Sequence, residues 1–184
     1  MTDRQASLVP ARIIIVMGVS SSGKTVSGHA IARRLHAPFL DGDDFHPPAN
    51  KDKMRAGIPL ADADRWPWLT ALAEALSGAA KTKGVAVGAC SALKRAYRDH
   101  LVKIAGEPIL FVYLEGTMEL IGSRIAVRSH EYMPASLLQS QFATLEVPGP
   151  GENVLAVPVT LTVDQIADRV VKALPELKSF KRAQ

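Results

Sequence analysis

The segment Gly18–Thr25, which reads GVSSSGKT, constrains this chain more than any other feature. It matches the phosphate-binding loop pattern G-x-x-x-x-G-K-[ST] at every position. The apolar run Ile13–Met17 before it predicts a buried parallel strand, and apolar residues recur at helical spacing after it. A Ser- and Gly-rich connection before an ordinary helix is the alternative, and both flanks weigh against it. Since such a turn points backbone N–H groups at phosphate oxygens, we expect a nucleoside triphosphate site.

Two side chains of this loop have specific expected roles. The ammonium of Lys24 is expected to reach the β- and γ-phosphates, and the hydroxyl of Thr25 to ligate Mg²⁺. The residues predicted to bind the nucleotide are Gly18, Val19, Ser20, Ser21, Ser22, Gly23, Lys24 and Thr25.

Composition limits the class of protein. The 184 residues fit one domain, and 47% hydrophobic with 22% charged residues is typical of a globular chain. Cys90 is the only cysteine, which excludes an intramolecular disulfide and favours a reducing compartment. The chain has no apolar run of about 20 residues and no signal-peptide pattern, so we expect a cytoplasmic protein without membrane contact. The net charge of +4 is spread along the chain, which favours small anionic ligands over nucleic acid.

Five apolar segments alternate with helical patterns, which predicts an α/β fold with a five-stranded parallel sheet between two layers of helices. This three-layer layout is that of small-molecule and nucleotide kinases. Two polar segments, residues 45–68 and 128–134, are expected to cover the site as a substrate-binding insert and a lid. The predicted strands are residues 13–17, 37–40, 84–90, 108–114 and 153–157.

An acidic cluster follows the second predicted strand, where ligands of such sheets bind. Alternation along a strand places Asp41 and Asp43 on one side and Asp44 on the other. Asp41 near Mg²⁺ and Asp43 near an acceptor hydroxyl supply metal orientation and a general base. An Asp-rich turn that caps the next helix is the alternative, and for Asp44 it stays open. The third strand ends at Cys90 without an acidic residue, so Thr25 and the aspartates must serve any metal.

Basic residues near the predicted site occur in pairs. Lys94 and Arg98 are four apart, so on one helix they share a face that either holds a substrate carboxylate or is simply solvated. Arg124 and Arg128 have the same spacing and lead into the second cover. Arginines there are expected to close over the phosphates of ATP and stabilise the transferred charge. For His46, between the aspartates and two prolines, a turn-stabilising role and a substrate contact both stay open.

Four stretches together resemble the gluconokinases of the small, P-loop, thermoresistant type. They are MGVSSSGKT (17–25), FLDGDDFHPPANKDKMRAGIPLADADRWPWL (39–69), CSALKRAYRD (90–99) and SQFATLEVPG (140–149). The resemblance implies ATP-dependent phosphorylation of D-gluconate at its 6-hydroxyl, an adenylate-kinase- and shikimate-kinase-like fold, and often a homodimer. It places phosphate binding on Gly18–Thr25 and the carboxylates on Asp41 and Asp43. It also implies sugar-acid contacts among His46, Lys53, Arg65, Lys94 and Arg98.

Two departures from the family pattern stand out. Ser21 replaces the middle glycine of the usual GVSGSGKS, and a serine is strained there if the position needs φ > 0. The usual lid pattern RKGHFM reads RSHEYM at residues 128–133, so no role is carried over to His130.

Two other functions compete with gluconate phosphorylation. Another small-metabolite kinase, acting for example on shikimate, is compatible with the same fold. A GTPase-type switch needs an N-K-x-D element after a late strand. The nearest string, residues 50–53, has lysine in place of the aspartate and lies too early in the chain.

Overall fold

The computed structural model describes residues 8–127 and 135–174, apart from the side chains of residues 124–127 and 135–136. A short 3₁₀ turn, Gly42–Phe45, follows the second strand. None of the described helices is both long and apolar enough to cross a bilayer. The strands are β1 (Ile13–Met17), β2 (Phe39–Asp41), β3 (Ala86–Ala89), β4 (Ile109–Glu115) and β5 (Val154–Pro158). The helices are α1 (Lys24–Leu35), α2 (Pro48–Arg55), α3 (Asp62–Lys83), α4 (Arg95–Ala105), α5 (Met118–Val127), α6 (Ala135–Thr144) and α7 (Val163–Ala173).

The five strands form one parallel sheet in the order β2-β3-β1-β4-β5. The central strand β1 is buried along its whole length, as its uninterrupted run of apolar residues predicts. The loop after β1 therefore leaves the middle of the sheet at the carboxyl ends of the strands, where ligands bind in folds of this kind.

Alternate residues of β1 belong to two separate cores. Ile14 and Val16 pack in one cluster, together with buried residues of α1 and α7. Ile13, Ile15 and Met17 pack in the other, with buried residues of α3 and α4. Because successive side chains of a strand point to opposite faces, the sheet has a helix layer on each side. The predicted three-layer α/β architecture is confirmed.

The structure corrects two predicted boundaries near the site. The second strand ends at Asp41, and the next four residues form the 3₁₀ turn. The alternation that was expected to align Asp41 with Asp43 is therefore wrong. The helix on which Lys94 and Arg98 were both expected starts only at Arg95, because Ala92 has a left-handed φ of 43° and Lys94 is extended. The predicted insert, residues 45–68, contains α2 and the start of α3.

The predicted lid at residues 128–134, including Arg128 and His130, lies outside the described residues. Arg124 belongs to α5, but its side chain also lies outside the described part of the chain. The roles of both arginines stay predictions from the sequence.

Candidate active site

The predicted phosphate-binding loop turns through three left-handed residues between β1 and α1. Gly18 has φ 140° and Gly23 has φ 97°, which are conformations that suit glycine. Ser21 has φ 61°, so the serine that departs from the family pattern does stand at a position with φ > 0. Helix α1 begins with no side-chain cap and no acidic residue in its first turn. Its first N–H groups are thus left for an anion.

Lys24 lies over the loop that precedes it. Its Nζ donates a hydrogen bond to the carbonyl of Val19 at 2.9 Å. Burial lowers the pKa of Lys24, and this effect outweighs the opposing influence of Asp43, Cys90 and Asp41. Burial also raises the pKa of the Cys90 thiol to about 12, so this residue is a packed thiol and not a nucleophile at neutral pH.

Thr25 and Asp41 form the link between the loop and the acidic cluster. The hydroxyl of Thr25 donates to Asp41 Oδ2 at 2.9 Å, and Asp41 Oδ1 accepts from the backbone N–H of Asp43 at 3.1 Å. The capping role of the acidic cluster thus falls to Asp41, which caps the 3₁₀ turn, while the Asp44 side chain is exposed. The structure brings Lys24, Thr25, Asp41 and Asp43 together although alternation does not align the aspartates.

The oxygen pair of Thr25 and Asp41 has the chemistry for Mg²⁺, a hard cation that prefers oxygen ligands. Among the described residues, no three His, Cys, Asp or Glu side chains come together as a metal cage. Mg²⁺ in kinases is usually held by one or two carboxylates together with substrate phosphates and water. The residues present therefore fit a metal ion that arrives with a nucleotide.

Gly42 fixes the turn that carries Asp43. Its carbonyl accepts a hydrogen bond from the indole of Trp68 at 2.6 Å. A Cβ at Gly42 would lie 2.5 Å from the carbonyl oxygen of Ala89, so the turn packs directly on β3. The side chain of Asp43, by contrast, is 90% exposed. A rigid turn thus presents an accessible carboxylate at the edge of the sheet.

The contacts of His46 inside the insert select one tautomer of its ring. Its ring is buried and stacks on Trp68, with centroids 4.0 Å apart. Asn50 Nδ2 lies 3.3 Å from Nδ1 and also donates to the carbonyl of Asp64. Since an amide nitrogen only donates, Nδ1 is the acceptor and Nε2 carries the hydrogen. That nitrogen is 4.0 Å from Asp43 Oδ1.

The surroundings of His46 also disfavour the protonated ring. Burial lowers its pKa, Asp43 opposes this, and Arg65 and Lys51 lower it further. A turn-stabilising role is therefore supported by contacts, and the Nε2 edge is left as the side that a substrate hydroxyl can reach.

Three of the predicted cationic site residues already have carboxylate partners. Lys53 binds Asp64 at 2.7 and 2.8 Å, and Lys94 binds Asp62 at 2.9 and 3.0 Å. Hydrogen bonds from Tyr97 and Lys94 lower the pKa of Asp62, and those from Lys53 and the Ala61 N–H lower that of Asp64. The third, Arg98, binds Glu152.

Arg98 lies in the protein interior and is 1% exposed. Its guanidinium binds Glu152 at 2.5 and 3.1 Å, and it donates to the carbonyls of Ala92 and Leu93. Lys94 precedes the helix as its N-cap, so the two basic residues bind different carboxylates and do not share the predicted face. The Arg98–Glu152 pair instead fixes the turn at the strained Ala92, whose neighbour Ser91 accepts from the N–H of Gly18.

Arg65 differs from the other cations. Among the described residues it has no carboxylate within ion-pairing distance, and its one hydrogen bond goes to the carbonyl of Leu60 at 3.3 Å. Its guanidinium lies 5.6 Å from the centre of the Tyr97 ring. Lys94 Nζ lies 5.5 Å from the centre of the same ring. Arg65 is half-buried, so its charge is partly desolvated without a fixed anion.

An open cavity of about 450 Å³ lies beside the loop, on the α7 side of α1. Its walls are mainly apolar, with hydroxyl groups from Ser27 and Ser123. A volume of this size falls in the range of small-molecule sites. The apolar lining consists of Val26, Val159, Leu161, Val163 and Ile166.

Sequence reasoning missed several residues that hold the site in place. Asn50 contacts His46 and Asp64, which are 4 and 14 positions away, whereas Glu152 and Gln141 contact residues 54 and 121 positions away. No local pattern predicts the distant contacts. Gln141 binds Ser20 by two hydrogen bonds although the residues are 121 positions apart. The only signal in the sequence was that Gln141 belongs to the stretch SQFATLEVPG.

Known proteins resemble this chain over nearly its whole length. A family model described as an AAA domain matches residues 13–148. The gluconokinase of Gluconobacter oxydans is 42% identical over 94% of this chain and 97% of that protein. The thermoresistant gluconokinase of Escherichia coli is 41% identical over 90% of this chain and 92% of that protein. The crystal structure of a gluconokinase from Sinorhizobium meliloti is 42% identical, with a TM-score of 0.79 over 93% of this chain and 97% of that one.

Proposed function

This chain belongs to the gluconokinase family, and we propose that it transfers the γ-phosphoryl group of ATP to the 6-hydroxyl of D-gluconate, giving 6-phospho-D-gluconate and ADP. The observation that carries the proposal is the grouping of Lys24 and Thr25 with Asp41 and Asp43 at the carboxyl edge of the sheet. An anion site, two metal-compatible oxygens and an accessible carboxylate are the parts that phosphoryl transfer to an alcohol requires.

ATP occupies the loop and the neighbouring cavity in this proposal. The uncapped N-terminus of α1 and the N–H groups of Gly18–Thr25 receive the phosphates. The ammonium of Lys24, which binds the Val19 carbonyl, exchanges this hydrogen bond for one to a phosphate oxygen when ATP binds. The apolar cavity beside Val26 and Ile166 takes the adenosine, because a flat base is held well by aliphatic walls.

Thr25 and Asp41 would hold Mg²⁺ together with the phosphates. When bound, the ion neutralises charge on the transferring group. The protein's own part is to keep the hydroxyl and the carboxylate 2.9 Å apart at the exposed end of β2.

Asp43 accepts the proton of the acceptor hydroxyl. Its carboxylate is exposed and stands on a turn that Trp68 and β3 fix. Phosphoryl transfer has a loose transition state, so early proton removal contributes modestly and the main effects are position and charge. Neutral His46, with its Nε2–H toward this side, is suited to donate to an oxygen of the substrate.

The carboxylate of gluconate binds Arg65. This cation is half-buried and lacks an anionic partner in the described structure, whereas Lys53, Lys94 and Arg98 already have one. A guanidinium also matches a carboxylate in a bidentate geometry. Lys94 and Lys53 do not contact the substrate in this proposal. Their ion pairs with Asp62 and Asp64 fix the start of α3, which carries Arg65.

Further features stay proposals from the sequence. Arg124 and Arg128 stabilise the transferred charge, the chain forms a homodimer, and it acts in the cytoplasm without nucleic acid or membrane partners.

A turnover assay with product identification tests the proposal. Wild-type protein with ATP, Mg²⁺ and D-gluconate is expected to release one ADP per 6-phospho-D-gluconate, with the phosphate position read by ³¹P NMR. Lys24→Met is expected to fold normally and lose transfer, because it removes the ammonium that the phosphate-binding loop places on the transferring phosphate. Near-normal turnover by folded Lys24→Met, or phosphate at another hydroxyl, would contradict the proposal.

A further inference from the structure

One peptide group of the phosphate-binding loop, that between Val19 and Ser20, is held from both sides. Its carbonyl accepts hydrogen bonds from Lys24 Nζ at 2.9 Å and from the N–H of Ser22 at 3.3 Å. Its N–H donates to Oε1 of Gln141 at 2.6 Å. The same amide returns a second hydrogen bond, from Nε2 to the hydroxyl of Ser20 at 2.8 Å.

The two bonds leave one orientation for the Gln141 amide. A backbone N–H can only donate, so the amide oxygen must face Ser20 N and the amide nitrogen must face its hydroxyl. An amide that accepts from a peptide N–H also polarises the carbonyl of that peptide and strengthens it as an acceptor. The carbonyl in question is the one on which Lys24 rests.

The helix that carries Gln141 is itself firmly anchored. Leu138 of α6 is 4% exposed and belongs to the core cluster that includes Ile121. Just beyond the helix, Glu146 donates its N–H to the carbonyl of Leu93 and accepts from the N–H of Arg95. Gln141 is thus presented from a helix fixed both in the core and on the β3–α4 turn.

We infer that Gln141 is a positioning residue, which fixes the Val19–Ser20 peptide and through it the resting place of the Lys24 ammonium. Without this amide the peptide is held only through its carbonyl, by Ser22 N–H and Lys24, so it can tilt about its flanking bonds and the position of the Val19 carbonyl is less well fixed. Lys24 is then exposed to solvent for more of the time and less well placed for the first contact with a phosphate. The inference rests on the proposed nucleotide site and does not depend on gluconate as the acceptor.

Two readouts test this role, namely the rate at which an amine-reactive acetylating ester modifies Lys24 and the dissociation constant for ADP. In Gln141→Leu we expect Lys24 to react about five to ten times faster and ADP to bind about five to ten times more weakly, as fits the loss of one or two hydrogen bonds. Gln141→Glu keeps an oxygen acceptor for Ser20 N–H, so it should retain the slow modification of Lys24. Gln139→Ala, an exposed glutamine of the same helix, is the matched control and should behave as wild type in both readouts.

A merely structural Gln141 would lower the melting temperature and leave both readouts at the Gln139→Ala values, and this result overturns the inference. Gln141→Asn keeps an amide that is one methylene too short, so it serves if the leucine variant does not fold, with the same expectation. Failure of wild-type protein to bind ADP would overturn the proposed function. The Lys24 reactivities would still decide the role of Gln141.

Discussion

The hydroxyl of Thr25 and the carboxylate of Asp41 are joined by a hydrogen bond of 2.9 Å. The bond connects the last residue of the phosphate-binding loop with the last residue of β2, although β3 lies between β2 and β1 in the sheet. The other carboxylate oxygen of Asp41 accepts a hydrogen bond from the N–H of Asp43, so the two aspartates have different surroundings within one turn. Their roles can therefore be separated by experiment.

Asp41→Asn is expected to raise the Mg²⁺ concentration needed for activity, with partial recovery at high Mg²⁺, because an amide oxygen is a weaker ligand than a carboxylate. Asp43→Asn is expected to lower kcat by about 10²–10⁴-fold, nearer the lower end, since the transition state is loose. Added Mg²⁺ should not restore it, and gluconate should still bind. Activity as a function of Mg²⁺, with gluconate affinity, measures both.

Asp44→Asn is the control for these variants, because it removes one negative charge from the same turn. The Asp44 side chain is exposed. It should change neither the Mg²⁺ requirement nor kcat by more than about twofold. Rescue of Asp43→Asn by Mg²⁺, without rescue of Asp41→Asn, would show that the roles are reversed.

The left-handed Ser21 should cost folding free energy and leave nucleotide affinity intact. Ser21 has φ 61° in the folded loop, and we expect the same backbone conformation with nucleotide bound, so the strain lowers the stability of the fold and does not enter the affinity. Ser21→Gly is expected to raise the free energy of unfolding by about 0.5–1 kcal/mol, after the extra unfolded-state entropy of glycine is subtracted. The dissociation constant for ADP should stay within about twofold. Urea denaturation and calorimetric titration measure the two quantities.

Ser21→Ala removes the hydroxyl but keeps a Cβ, so it should show no such gain in stability. A tenfold gain in ADP affinity in Ser21→Gly, without any change in stability, would mean that the strain arises only on binding.

Arg65 and Arg98 should fail in different ways when they are replaced. Arg65→Gln is expected to raise KM for gluconate about 10–100-fold with little change in stability, since it removes charge-assisted hydrogen bonds to a carboxylate. Arg98→Met leaves Glu152 buried without its partner and should cost about 3–5 kcal/mol of stability. Steady-state kinetics and urea denaturation of both variants give the comparison. An Arg98 variant of normal stability with a raised KM would return Arg98 to the substrate site.

His46 predicts a pH dependence of stability. Its pKa is lowered in the fold, chiefly by burial, so the unfolded chain binds a proton at a higher pH than the folded chain does. The contribution of His46 to the free energy of unfolding is therefore fully present above the pKa of the unfolded chain, about 6.5. It is lost as the pH falls below that value, by at most about 1.4 kcal/mol per pH unit for one group. The lowered pKa values of Asp62 and Asp64 act only in a more acidic range.

Urea denaturation between pH 5 and 8 measures this slope. His46→Gln should flatten it, and His29→Gln, at an exposed histidine, should not. An unchanged slope in His46→Gln would show that the ring titrates alike in both states.

The sequence predicts the parts of this site that depend on neighbouring residues. The loop motif, the strand before it and the helix after it are all local signals, and Gly18–Thr25 folds as they indicate. The partner of each charged side chain is not a local property. Lys94 and Arg98 have the spacing of one helical face. With Ala92 in a left-handed conformation, however, the helix starts only at Arg95, and the two residues bind different carboxylates. Glu152 is 54 positions from Arg98, so only the folded chain reveals the pair.

The acceptor preference of the wild-type enzyme tests the central claim most directly. ADP release is measured with D-gluconate, other aldonates, shikimate, nucleoside monophosphates and D-glucose, which has a 6-hydroxyl but no carboxylate. The account predicts the highest kcat/KM for gluconate, with glucose lower by about 10²-fold, as expected when a half-buried arginine loses its anion. A higher kcat/KM for shikimate or a nucleoside monophosphate, or equal values for gluconate and glucose, would contradict it.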